Sequence, residues 1–293
     1  MFFLDMPGVF PLIFLKAGYK MFDHEVIQDM TDLDKGLELY DRPEILYRLF
    51  FPRLETAADT DNARNHYVDV APGISICCRF FMFRNDAPNI IYFHGNGEIA
   101  ADYDYVAPVY AQYGLNLFVA DYRGYGGSSG SPTCTAMIED AHPVFHYFRE
   151  HIKEAGYTGD IFAMGRSLGS APAIELAYRY QEEFKGLVIE SGFATARNQI
   201  GRLGVEYLFD DVEEPVGFGN DLKIREVRVP TLIIHGEWDE IIPAAEGRQL
   251  YELSGAQEKF SLFVPHAGHN DIMYHGMEQY MDAVRSFAGR YTK

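Results

Sequence analysis

The segment Ile161-Phe162-Ala163-Met164-Gly165-Arg166-Ser167-Leu168-Gly169-Ser170 constrains this chain more than any other. Residues 161–164 form the apolar run of a buried strand, and residues 171–180 continue with helical spacing. Between them stands Gly-x-Ser-x-Gly. A serine caught between a strand and a helix must turn the chain sharply. Glycines two before and two after it let strand and helix approach without Cβ collisions. The turn lifts the hydroxyl above the sheet, and the helix start behind it offers free N–H groups to a developing anion. The motif alone is common; with a strand before it and a helix after it, Ser167 becomes a candidate nucleophile.

Strand and helix alternate around this point. Residues 66–70 and 74–83 read as strands separated by the turn Ala71-Pro72-Gly73, and residues 89–93 form a third. Ile99, Tyr103, Val106 and Tyr110 fall at helical spacing, with Gly114 to end that helix. Residues 115–120 form a strand, and residues 133–155 a helix that Pro143 should kink. Strands follow at 161–164, 186–189, 231–234 and 260–264, with a helix opened by Pro243. The closing helix is capped by Asp271 and carries the stripe Met277, Tyr280, Met281, Val284 and Phe287. This order predicts an α/β fold with a mostly parallel sheet covered on both faces.

The predicted division is an N-terminal helical extension over residues 1–65, packed on an α/β domain over 66–293. Residues 32–53 read as helix, with a second piece beginning at Arg42-Pro43, and residues 55–65 as a connector. Residues 1–16 are apolar, but Asp5, Pro7, Gly8 and Pro11 interrupt them and no basic region precedes them. That falls short of the roughly 18 apolar residues of a membrane span, so the segment is expected to pack on the body or line the site entrance.

The formal net charge of −18 excludes nucleic acid as a partner and disfavours an anionic membrane surface. With 47% hydrophobic and 15% aromatic residues, the chain can bury a sizeable core. Three cysteines make no disulfide framework, and the adjacent Cys77 and Cys78 point to opposite faces of a strand. A reducing, cytoplasmic setting is expected.

In such a sheet, function collects at the carboxyl ends of the strands. Five loops with chemistry-bearing residues lie there: 94–98, 165–169, 190–191, 235–240 and 266–270. Serine needs a base, and the base needs a group that fixes its tautomer. His269 is the predicted base and Asp239 the predicted acid, with His266 and Glu190 as their nearest competitors. The pairs His266/His269 and His142/His146 could suggest metal, but neither has a third ligand, and the second suits a solvated helix face. No metal or cofactor is expected. An oxyanion needs two donors. The Leu168 backbone N–H follows from the elbow, and the Asn96 backbone N–H comes from the loop His94-Gly95-Asn96-Gly97-Glu98, which His94 supports by hydrogen bonding.

The order Ser167, Asp239, His269 matches the nucleophile–acid–base order of the α/β-hydrolases. More closely, the chain resembles their small-lidded branch, the BEM46-like and ABHD17-type serine hydrolases. The segments that carry the resemblance are His94-Gly95-Asn96-Gly97, Asp121-Tyr122-Arg123-Gly124-Tyr125-Gly126, Gly165-Arg166-Ser167-Leu168-Gly169 and Gly268-His269-Asn270-Asp271. They span residues 89–293. The resemblance implies cleavage of carboxylic esters or thioesters without a cofactor, and a short lid within residues 192–230. Two features depart from it. Glu98 places a carboxylate near the mouth of the site where that branch has small or amide residues. No cysteine precedes Cys77, whereas ABHD17-type enzymes carry a cysteine-rich N-terminus.

Within the lid, Phe193, Leu203, Val205, Tyr207, Leu208 and Phe209 suit either an acyl-facing wall or ordinary helix packing. Asp210, Asp211, Glu213 and Glu214 beside them should repel strongly anionic substrates. The sequence therefore predicts a serine hydrolase acting on a small-molecule or acyl substrate. A peptidase or acyltransferase would use the same triad, and a binding or scaffold protein could keep the same body without catalysis.

Overall fold

The computed structural model describes residues 36–195, 201–209 and 217–291. Its frame is an eight-stranded sheet in the order β1-β2-β4-β3-β5-β6-β7-β8. β1 (Ala63–Ala71) and β2 (Ile74–Phe81) form an antiparallel hairpin. Pro72-Gly73 turns it, with Gly73 at φ +74°, a geometry glycine adopts without strain. β2 then pairs antiparallel with β4 (Asn116–Ala120). From there the ladder is parallel through β3 (Asn89–Phe93), β5 (Ile161–Arg166), β6 (Gly186–Glu190), β7 (Thr231–Gly236) and β8 (Lys259–Val264).

The central strands are apolar throughout because both faces are covered. Alternate residues go to opposite cores. Ile91 and Phe93 join Phe118, Ala163 and Ile189 against α3 (Cys134–Glu154) and α4 (Ser170–Arg179). Ile90 and Tyr92 join Val119, Met164 and Val188 against α2 (Ala107–Gln112) and α7 (Ile272–Tyr291). The first face also receives Leu37, Tyr40, Ile45 and Phe50 from the segment around α1 (Pro43–Leu49). Cys77, Cys78 and Cys134 are buried free thiols, and burial pushes Cys77 up to about 11.

Several elements differ from their sequence-based outlines. Residues 32–53 contain a 3-10 turn at Leu37–Tyr40 and the separate helix α1. The helix expected from Ile99 to Tyr110 divides into a 3-10 turn, Ala100–Asp104, and α2, because Pro108 has no N–H to bond the carbonyl four residues back and sits instead in the first turn of α2, where none is needed. α3 runs as one element across Pro143. In α7, Gly276 leaves helical geometry (φ −149°), and Met277 turns out to water while Ile272 and Ala288 complete the buried stripe. The Asp271 carboxylate does not cap that helix: it accepts the Gly268 N–H at 2.6 Å and pairs with His275. His142 and His146 are not a solvated pair either, since both contact the Tyr180 hydroxyl, at 2.9 and 3.2 Å.

α5 (Asn220–Glu226) lies between β6 and β7, and α6 (Ala244–Leu253) follows β7 directly after Pro243; between β6 and β7 the described lid residues pack on the body. Phe209 lies 5.0 Å from the Tyr40 ring, Phe193 lies 5.7 Å from Phe218, and Arg42 and Arg48 donate to the carbonyls of Leu208 and Leu203. These are packing contacts with the body; Tyr207 is exposed. Asp210, Asp211, Glu213, Glu214 and the apolar run 1–16 lie outside the described residues. Among the described residues no helix is long and apolar enough to cross a membrane, and no group of three metal-ligating side chains occurs.

Candidate active site

β5 ends at Arg166, and a 3-10 turn, Ser167–Gly169, joins it to α4. Ser167 sits at φ +52°, a left-handed conformation a serine seldom adopts. Both flanking glycines are required for lack of space. A Cβ on Gly165 would lie 2.1 Å from the Gly169 carbonyl oxygen, and one on Gly169 would lie 2.1 Å from that of Phe93. The elbow therefore presses against the end of β3, where the loop 94–98 begins.

Two other strand ends supply the partners. After β7, the chain turns through Asp239, whose Oδ1 accepts the N–H groups of Ile241 (2.9 Å) and Ile242 (2.7 Å). After β8, residues 265–271 carry His269, and the loop is pulled toward β7 by the Trp238 N–H bond to the Ala267 carbonyl (2.9 Å). His269 Nδ1 donates to Asp239 Oδ2 at 2.7 Å, and Nε2 lies 2.9 Å from Ser167 Oγ. All three side chains are buried. With Nδ1 donating to the carboxylate, Nε2 is left to accept the serine proton. Burial would raise the Asp239 pKa, but hydrogen bonds from His235 and His269 and the Ile242 N–H outweigh it and hold the carboxyl well below its usual range. His235 was not expected from sequence. It is buried, and its Nε2–H is shared between the Ile242 carbonyl at 2.7 Å and Asp239 Oδ2 at 3.2 Å.

The competitors lie elsewhere. Glu190 binds Arg166 Nε (3.1 Å) and the Tyr280 hydroxyl (2.7 Å), not the histidine, which removes it as the acid. The His266 ring packs against Trp238 at 4.5 Å. Glu98 does not lie free at the mouth: it pairs with Arg166 and accepts from Gly95 N–H and the Tyr103 hydroxyl.

Leu168 stands at the start of the 3-10 turn, where N–H groups lack partners within the turn. The Asn96 amide is committed to structure. Its Nδ2 donates to the Leu49 carbonyl, and its Oδ1 accepts from Phe51 N–H (3.1 Å) and the Tyr125 hydroxyl (2.7 Å). These bonds fix the side chain away from catalysis and leave the backbone N–H as the candidate oxyanion donor. His94 is buried, 3.2 Å from Asp121, with Tyr122 donating to its carbonyl at 2.7 Å. Thus both tyrosines of Asp121-Tyr122-Arg123-Gly124-Tyr125-Gly126 hold this loop. The segment around α1 reaches it as well, a contact no local pattern announced.

The family model described as Serine aminopeptidase, S33 matches residues 85–208. The chain is 30% identical over 229 residues to Alpha/beta hydrolase domain-containing protein 17B of Homo sapiens, covering 74% of this chain and 72% of that one. It is 30% identical over 190 residues to Protein bem46 of Schizosaccharomyces pombe, covering 63% of this chain and 62% of that one. Among solved structures, the Pyrococcus furiosus esterase Pf2001 aligns with a TM-score of 0.66 at 17% identity, covering 82% of this chain and 98% of that one. Est1E from Butyrivibrio proteoclasticus, bound to ferulic acid, aligns with a TM-score of 0.62 at 19% identity, covering 77% and 98%. At these identities the two structures speak to the fold.

Proposed function

Because the chain belongs to the α/β-hydrolases of the BEM46 and ABHD17 type, we propose that it is a cofactor-independent serine hydrolase that cleaves carboxylic esters or thioesters through an acyl-enzyme. The observation that carries the proposal is the unbroken relay from Ser167 Oγ through His269 to Asp239, at 2.9 and 2.7 Å. Ser167 Oγ attacks the carbonyl carbon as its proton passes to His269 Nε2. The carbonyl oxygen takes the negative charge and is held by the backbone N–H groups of Leu168 and Asn96. Collapse of the intermediate breaks the bond to the leaving group, which departs with the proton from His269. Water, deprotonated by His269, then releases the acid and restores Ser167. Asp239 keeps its charge throughout and offsets that of the imidazolium.

The setting in which this chemistry occurs is proposed to be cytoplasmic, with three buried thiols that stay reduced. The expected substrate is a small molecule or acyl chain without strong negative charge, since the protein carries a formal charge of −18. A fluorophosphonate probe tests the core of the proposal. Ser167 should be labelled in the native protein, Ser167→Ala should not react although it folds, and an ester and thioester series should be hydrolysed only by the former. A native protein that neither labels nor turns over any ester would be a binding protein on this fold.

A further inference from the structure

The residue before the nucleophile, Arg166, has no role in the relay, yet its guanidinium meets four protein acceptors at the sheet's carboxyl edge. Nε lies 3.1 Å from Glu190 Oε1, and Nη1 pairs with Glu98 Oε1. Nη2 donates to the backbone carbonyl of His269 at 2.7 Å and to Asn270 Oδ1 at 2.9 Å. Glu98 carries the contact onward, its Oε2 accepting the Gly95 N–H and the Tyr103 hydroxyl, both at 2.9 Å. One guanidinium therefore joins the oxyanion loop, the nucleophile elbow, the end of β6 and the histidine loop. Burial opposes its charge, but Glu98 and Glu190 more than offset this and hold its pKa above the usual value.

A second observation concerns Gly95. Its φ is not left-handed, yet a Cβ there would lie 2.6 Å from Arg166 Nη1. Gly95 is small so that the guanidinium can pass beneath the loop. A crevice of about 330 Å³ opens beside the cluster, lined by Tyr92, Tyr103, Arg166, Glu190, Asn270 and Met273 among others. Arg166, Glu98 and Glu190 are already paired with one another and with tyrosines, so these charges are spent on the protein and not turned toward a ligand.

We propose that Arg166 is a positioning residue, with Glu98 as its relay, that holds the His269 backbone and the oxyanion loop in register with Ser167. The proposal rests on the serine-hydrolase reading above. It also accounts for the carboxylate at position 98, where the related branch has small or amide residues. Only arginine has the planar fork to reach four acceptors at once; lysine keeps the charge but offers a single nitrogen.

The test compares Arg166→Lys, Arg166→Gln and Glu98→Gln with native protein, measuring the fluorophosphonate labelling rate of Ser167, kcat and KM on a p-nitrophenyl ester, and melting temperature. Arg166→Lys should keep the fold and lose about 10–100-fold in kcat and labelling rate, with KM little changed, as expected when a reacting group drifts by about 1 Å. Arg166→Gln should lose more, because it leaves two carboxylates facing each other. Should both arginine variants fail to fold, Glu98→Gln carries the same test: its amide has one acceptor oxygen, so its NH2 must face either the guanidinium or the Gly95 N–H, and one link of the relay breaks. A folded Arg166→Lys or Glu98→Gln protein with native kcat and labelling rate overturns the proposal. Native protein that fails to label overturns the hydrolase reading itself, and this proposal with it.

Discussion

Alanine at position 169 should damage both stability and turnover, although local preference favours it. Gly169 has ordinary helical angles (φ −65°, ψ −10°) at the start of α4. On backbone grounds alone, alanine there should stabilise by about 0.5–1 kcal/mol. The obstacle is β3. The new Cβ would lie 2.1 Å from the Phe93 carbonyl oxygen and 2.7 Å from that of His94. Carbon and oxygen meet comfortably at roughly 3.3 Å, so elbow and strand end must part by about 1.2 Å. Overpacking costs about 1–3 kcal/mol, and a clash against two backbone carbonyls belongs at the upper end, leaving a net loss of about 2–2.5 kcal/mol. The melting temperature should fall by about 2–4 °C for each kcal/mol. The displaced backbone is the one that leads to Asn96, so the two proposed oxyanion donors separate, and a 1 Å error can cost on the order of 100-fold in rate. Gly289 is the control: it is exposed in α7 with nothing within 4 Å of its would-be Cβ. Gly289→Ala should raise the melting temperature. Thermal melts and ester hydrolysis, with active sites titrated by a fluorophosphonate, decide the matter. Native stability and turnover in Gly169→Ala would refute the steric argument.

Asp239→Asn should keep the fold and lower kcat by about 10³–10⁴-fold, because the amide donates to His269 Nδ1 and leaves Nε2 protonated toward Ser167; a pre-steady-state burst of native size would contradict this. His66 tests the pH dependence of stability. It packs on Phe80, Phe118 and Tyr147, and burial pulls its imidazole down to about 4. The unfolded chain takes up that proton near pH 6.5 and the native protein only near 4, so its cost is absent at pH 7 and grows as pH falls through that window. Melting curves of His66→Gln should lose less stability between pH 6.5 and 4 than those of native protein, and an equal slope would refute the assignment. Below about pH 4 both proteins should lose stability together, as the depressed carboxylates Asp239 and Glu175 take up protons in the unfolded chain first.

Much of the architecture was legible in short-range pattern. The apolar runs of β3 to β7 and the glycines around Ser167 each act over a few residues, and so does the period that sets α3 and the buried side of α7. Sheet type follows from their alternation, and the chain order of Ser167, Asp239 and His269 follows from where the loops fall. Element ends were less secure wherever proline or glycine redirected the chain, as at Pro108 and Gly276. Position in sequence favoured Asp239 but left Glu190 as a competitor, since both lie at the carboxyl ends of strands. The choice depends on which carboxylate the His269 ring meets.

What only tertiary structure decided is the pairing of charges across the sheet edge. Glu98, Arg166 and Glu190 are separated by 68 and 24 residues, yet β3, β5 and β6 lie side by side and end at the same level. A guanidinium reaches whatever acceptors strand order brings within a few ångströms of it, and strand order is a property of the whole sheet. The contact of Asn96 with Leu49 and Phe51 has the same origin: it exists because the segment around α1 packs over the end of β3, a placement settled by buried area and not by any motif in either segment.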